Sequence, residues 1–203
     1  MDPVKQTSEG GMAAGAQDHM QPVRVFVALK IAPDLAQELA GMSEALKGAA
    51  VRRIAAADIH LTLVPPWREQ LISEAIAKLA NVAVARAPFH LEFRHVSYGP
   101  EPRHPRLLWV ECAASRELAD LRAALMAAFG QAEQRPFWPH VTLARIRQHG
   151  AAIARRHPID RELALSQRIG SVELMQSPNA GGIGYSVLAS LPLGRPAGGR
   201  RLI

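Results

Sequence analysis

An α/β (α+β) chain built as two pseudo-equivalent lobes around a central cleft is what the sequence predicts, and three observations carry that expectation. Short β-branched runs alternate with two or three amphipathic helical stretches. The tetrapeptides His60-Leu61-Thr62-Leu63 and His140-Val141-Thr142-Leu143 write one pattern twice, about 80 residues apart, the spacing of a duplicated strand-helix-strand unit. The 203 residues are 48% hydrophobic and 21% charged, enough to bury a real core and without the bias of disordered or fibrous chains.

The elements follow in chain order. Residues 1–21, rich in Gly, Ala, Gln and Ser without apolar periodicity, read as a disordered extension or tag; they have no h-region, and their acidic residues argue against a transit peptide. A single domain is expected over 22–193. It opens with a strand, Val23 to Leu29, and a helix from Pro33-Asp34, where Leu35, Leu39, Met42 and Leu46 recur at helical spacing until Gly48. The first motif strand, Ile59 to Val64, is expected to end at Pro65-Pro66, since proline cannot donate to a ladder. A helix from about Gln70 to Leu79 precedes strands at Phe89 to Val96 and Leu107 to Cys112. Ser115 is a suitable N-cap for a helix reaching Phe129. The second motif strand, Val141 to Ile146, follows, and strands at Ile169 to Met175 and Tyr185 to Leu191 flank Gly181-Gly182. Residues 194–203 read as a flexible tail.

Composition narrows the function. No apolar run approaches the ~18 residues of a membrane span, so no membrane partner is expected and cytoplasmic residence is the default. Cys112, the only cysteine, excludes an intrachain disulfide and a cysteine-based zinc cluster; within Leu107 to Cys112 it reads as a small buried hydrophobe. The formal charge of +6 favours a polyanion or phosphorylated ligand. Much of the excess is scattered arginine, including Arg52-Arg53, Arg103, Arg106, Arg145, Arg147 and Arg155-Arg156, which suits a phosphate pocket better than a long duplex-binding surface.

Only three threonines occur in the chain, and two of them follow a histidine by two places. Chance produces that in roughly 0.5% of such chains. On a strand, residues i and i+2 share a face, so each tetrapeptide sets a His beside a Thr while its apolar residues enter the core. Two histidines at one cleft can divide acid and base roles, and threonine hydroxyls can donate to a phosphoryl oxygen as charge develops there. In-line displacement at phosphorus fits such a set. A zinc site is the competing reading, but neither motif has the usual ligand spacing; Asp58, two residues before His60, is read as a capping or loop residue.

These residues resemble the 2H phosphoesterase superfamily, defined by two His-x-Thr-x motifs, and within it the RNA 2′,3′-cyclic phosphodiesterase family, also called 2′-5′ RNA ligases. The similarity runs from about Arg24 to Leu193. It includes Arg24-Val25-Phe26-Val27-Ala28-Leu29, Leu108-Trp109-Val110, the block Arg135-Pro136-Phe137-Trp138-Pro139-His140-Val141-Thr142-Leu143-Ala144-Arg145, and Gly184-Tyr185. The resemblance implies a bilobal fold of two pseudo-symmetric antiparallel-sheet lobes with outer helices. It also implies cofactor-free and metal-independent hydrolysis of a 2′,3′-cyclic phosphate, on an RNA 3′ end or a small nucleotide, to a 2′-phosphomonoester, with reversible 2′-5′ ligation by the same groups. By motif position, His60 and His140 form the acid/base pair and Thr62 and Thr142 bind the phosphate. Arg145 and Arg135 are substrate-binding candidates, and Phe26 is a surface for a base. A monomer acting on RNA ends or cyclic nucleotides is expected.

The chain departs from the family pattern after the first motif, where many members carry Phe-Leu-Gly and this sequence reads Val64-Pro65-Pro66-Trp67-Arg68. That change is expected to reshape the cleft rim, with Trp67 stacking on a base or covering the core. Two further readings stay open: an RNA- or nucleotide-binding module with an idle cleft, and a 2H enzyme for another cyclic or 2′,5′-linked phosphate.

Overall fold

The computed structural model of the protein describes residues 21–133, 136–178 and 184–194. The expected extension up to residue 20, Arg135, the Gly181-Gly182 turn and the tail from residue 195 lie outside the described residues. β1 (Val23–Lys30) is the β-branched run that the sequence marks, and Pro33 sits in the first turn of α1 (Pro33–Gly41), where its missing N–H costs nothing. Past Met42 the chain tightens into a 3₁₀ turn at Glu44–Leu46, then a short strand, β2 (Val51–Arg53), and another 3₁₀ turn at Ala56–Asp58. The motif strand β3 (His60–Glu69) leads to α2 (Ile72–Val84), then to β4 (Phe89–Gly99) and β5 (Leu107–Cys112). In α3 (Arg116–Ala128) the Ser115 hydroxyl accepts from Leu118 N at 3.2 Å, the expected N-cap. The remainder is β6 (His140–Ile146), α4 (Gly150–Arg156), β7 (Arg161–Ile169), β8 (Ser171–Gln176) and β9 (Ser186–Pro192). None of the described helices is long and apolar enough to cross a membrane.

The strands form one antiparallel sheet in the order β7-β4-β5-β6-β3-β1-β8-β9, with β2 added on β6. That order is symmetric about the β6–β3 junction, each motif strand being the innermost of four. The motif strands pair directly, Leu61 with Val141, rather than facing each other across a gap between separate sheets. Pairing satisfies inner-edge backbone groups that two separate sheets would leave open. Leu61, Leu63, Val141 and Leu143 are all buried, each contributing about 1.5–3 kcal/mol. α3 packs beside β3 and β4, α2 beside β8 and β9, and the two helices pack on each other.

Both motif strands carry a bulge at the same place. Ala28 pairs with Thr62 and Val27 with Val64, leaving Leu63 extra; Trp109 pairs with Thr142 and Leu108 with Ala144, leaving Leu143 extra. Each bulge puts two successive residues into the core, Leu63 and Val64 in one half, Leu143 and Ala144 in the other. Alternation then resumes out of step, which returns Arg145 to the face that holds His140 and Thr142.

Three expectations are corrected. β3 does not stop at Pro65-Pro66 but runs to Glu69: its pairing with β6 is confined to Leu61, and the two prolines oppose Phe26 in a second irregularity, so their missing N–H groups are not needed. The strand expected from Ile169 begins at Ser171, because Ile169 closes β7 and Gly170 separates them. β7 itself, α4 and β2 are additional elements that the sequence reading does not assign.

Candidate active site

His60 and His140 enter the sheet from equivalent turns. The Asp58 carbonyl, at the end of the 3₁₀ turn, lies 2.6 Å from His60 Nδ1, and the Trp138 carbonyl lies 2.7 Å from His140 Nδ1. In each ring Nδ1–H therefore donates to a carbonyl two residues upstream, which leaves Nε2 to act. With Leu61 opposite Val141, antiparallel pairing sets His60 toward Thr142 and Thr62 toward His140. The two histidines stand on a diagonal, and diagonal neighbours on adjacent strands are about 7–8 Å apart, room for a phosphoryl group between their rings.

A cavity of about 110 Å³ opens on this face, lined by Ile54, Asp58, His60, Thr62, Leu107, His140, Thr142, Arg145 and Tyr185. All four motif side chains and Arg145 thus meet in one place. Phe26 does not offer a surface to a base: it is 2% exposed, and its ring backs His60 with centroids 5.0 Å apart. Arg135 lies outside the described residues. Trp67 packs on Phe129 at 4.8 Å and donates through Nε1 to Glu69 at 3.0 Å, so it covers the core. The Cys112 thiol is buried and pushed up to about 12, chiefly by that burial, which suits a packing role.

Sequence reasoning did not single out Tyr185 as a site residue, although Gly184-Tyr185 belongs to the resemblance. The Tyr185 ring meets His60 edge-on at 5.0 Å, and its N–H donates to Asp58 Oδ1 at 3.0 Å. Gly184 at φ +83° makes the turn that brings it there. Asp58 therefore holds His60 with its carbonyl and Tyr185 with its carboxylate. Trp109 was also missed as a site residue; it packs against His140 at 4.7 Å and Trp138 at 5.8 Å. A broader groove continues from Thr62, Leu107 and His140 along Pro65, Pro66, Trp109, Phe137 and Trp138. The departing Pro-Pro pair therefore lies beside the cleft, as its position in the sequence suggests.

Both imidazoles are held below the ordinary histidine range, first by burial and then, against the pull of their carbonyl partners, by Arg145. They differ in their neighbours. The Asp58 carboxylate raises His60 and charge on His140 lowers it, whereas Glu111, opposite His140 in the β5–β6 register, raises His140. The place opposite His60 is taken by Lys30, whose N–H donates to buried Glu173 at 3.2 Å and whose carbonyl accepts from Gln167 at 3.1 Å. Among the described residues no three His, Cys, Asp or Glu are grouped to hold a metal ion.

Residues 27–180 match the family described as the 2′-5′ RNA ligase superfamily. An RNA 2′,3′-cyclic phosphodiesterase of Bacillus subtilis (strain 168) is 36% identical over 95 residues, which is 43% of this chain and 51% of that protein. One from Aeropyrum pernix is 30% identical over 107 residues, 49% of this chain and 60% of that protein. The chain thus spans about half the length of the curated relatives it matches. Among solved structures, TT0787 of Thermus thermophilus has a TM-score of 0.72 at 23% identity, covering 85% of this chain and 100% of that one. Escherichia coli LigT complexed with 3′-AMP has a TM-score of 0.68 at 22% identity, covering 86% and 100%. These structural likenesses carry the fold.

Proposed function

The chain belongs to the 2′-5′ RNA ligase superfamily, and from that premise we propose that its cleft hydrolyses a ribose 2′,3′-cyclic phosphate, on an RNA 3′ end or a small nucleotide, to a 2′-phosphomonoester without a metal. The observation that carries the reading is the His/Thr quartet on one face of two paired strands, with both Nδ1 atoms engaged by carbonyls. The curated relatives named RNA 2′,3′-cyclic phosphodiesterases support the choice of substrate.

His60 is the base. Burial among Phe26 and Tyr185 outweighs the opposite pull of Asp58, so the imidazole stays neutral and takes a proton from water as the oxygen attacks phosphorus. His140 is the acid. Glu111 favours its protonated form, and binding an anionic phosphate between the rings favours it further. As the P–O3′ bond breaks, His140 gives its proton to O3′, and the product keeps phosphate on O2′. Thr62 and Thr142 donate to the non-bridging oxygens, and Arg145 offsets their charge. Solvent then returns each imidazole to its starting state. A 5′-hydroxyl in place of water gives, by the same bond changes, a 2′,5′-phosphodiester.

The test is a panel of 2′,3′-cyclic mononucleotides and RNA ending in cyclic phosphate, with product regiochemistry read by NMR. A 2′-phosphate released equally well in EDTA is the expected result. A 3′-phosphate product, EDTA-sensitive turnover, or tight binding of 2′-phosphates with no turnover of any substrate sinks the proposal.

A further inference from the structure

β6 carries charge out of the cleft. Arg145 lines the cavity, Arg52 stands opposite it in the β2–β6 register, and Arg147 follows just past the end of β6. Like charges directly opposed on a ladder repel. Among the described residues, none of Arg52, Arg106, Arg145, Arg147 and Arg155 has a carboxylate within salt-bridge distance.

Next to the cleft this charge lines a groove. Leu107 and Arg145 border the cleft, and their chain neighbours Arg106 and Ile146 border a second cavity of about 410 Å³. His104, Arg147, His149 and Arg155 line it too; among the described residues no acidic side chain does, the nearest being Glu101, 3.6 Å from His104 Nδ1. Its wall is built rather than open loop. Ile146 N donates to the Arg106 carbonyl at 2.8 Å, and Pro105 is buried. Gly150 lies so close that a Cβ there would come within 2.1 Å of the Pro105 carbonyl oxygen.

We propose that this groove holds phosphodiesters of an RNA strand upstream of its reacting end, so that the protein favours oligonucleotides over mononucleotides. The inference rests on the reading of the cleft as a cyclic-phosphate site. Guanidinium forks match phosphate oxygens, and the groove gathers three of them, Arg106, Arg147 and Arg155. The basic lining, and its adjacency in the chain to the cleft residues Leu107 and Arg145, favour the substrate's own backbone over an unrelated acidic protein as occupant.

The experiment compares wild type with the double variant R106Q/R155Q, whose changes lie outside the catalytic quartet. Three measurements are made: turnover of a 2′,3′-cyclic mononucleotide, turnover of an RNA oligonucleotide ending in cyclic phosphate, and binding of the 2′-phosphate oligonucleotide over a salt series. Mononucleotide kcat/KM should hold. Oligonucleotide kcat/KM should fall about tenfold, through KM, and the salt dependence of binding should flatten by roughly 0.7 per lost contact in the log–log slope. Equal effects on both substrates, an unchanged salt slope, or competition by polyglutamate as strong as by RNA overturns the groove. If wild type turns over neither substrate, the catalytic reading fails, and the binding series alone decides the groove.

Discussion

The two halves of the cleft are alike where bonds change and unlike one residue further out. Each half contributes a histidine held by an upstream carbonyl, a threonine two residues on, and a bulged leucine. Around that common frame the paired positions diverge. Lys30 stands opposite His60 where Glu111 stands opposite His140, Ala28 pairs with Thr62 where Trp109 pairs with Thr142, and Pro65 takes the place after the bulge that Arg145 takes in the second half. Displacement at phosphorus explains the pattern. A pentacoordinate phosphoryl group is nearly symmetric and is served by matched donors, whereas acid and base must differ and a substrate must enter in one orientation.

The comparison is tested first at its centre. His60→Ala and His140→Ala should each lower kcat/KM about 10³-fold with folding intact by circular dichroism, and the double variant should be little worse, since the pair acts as a unit. One variant retaining full activity would show that the halves are not matched. Thr62→Val and Thr142→Val come next: each removes one donor to a developing charge and should cost about 10²-fold in kcat with little change in KM. Markedly unequal losses would mean that one threonine only packs. Arg145→Gln probes the periphery and should raise KM about tenfold or more, from the loss of a charged hydrogen bond of about 1.5–3 kcal/mol. No comparable effect is expected from Pro65→Ala.

The quartet was legible in the sequence because its signal is local: two residues on one strand share a face whatever the rest of the chain does. The pairing of the motif strands was not, since Leu61 meets Val141 only after both halves fold, and register is a tertiary property. Phe26 shows the same limit. The run Val25 to Leu29 is apolar throughout, so nothing in it tells which residue backs the histidine and which faces the helices. β7 is hard to assign because Ala164 between Leu163 and Leu165 blurs a short period-two pattern, and its partner strand β4 lies some 70 residues away. The prolines of β3 misled for a physical reason too. A proline ends a strand that has neighbours on both sides, and this strand loses one of its neighbours just before them.

The mildest prediction concerns the acidic neighbours of the two histidines, Asp58 beside His60 and Glu111 opposite His140. Glu111→Gln keeps the size of the side chain opposite His140 and removes the charge that favours its protonated form. The pKa of His140 should therefore fall, while that of His60, which Glu111 does not touch, should stay in place. If His60 is the base, the acidic limb of the pH–rate profile reports His60 losing its proton, and the alkaline limb reports His140 losing its own. The variant should then move the alkaline limb to lower pH, leave the acidic limb where it was, and narrow the profile from one side only. Movement of the acidic limb instead would exchange the two roles, making His60 the acid and His140 the base, with the matched frame of the cleft left intact.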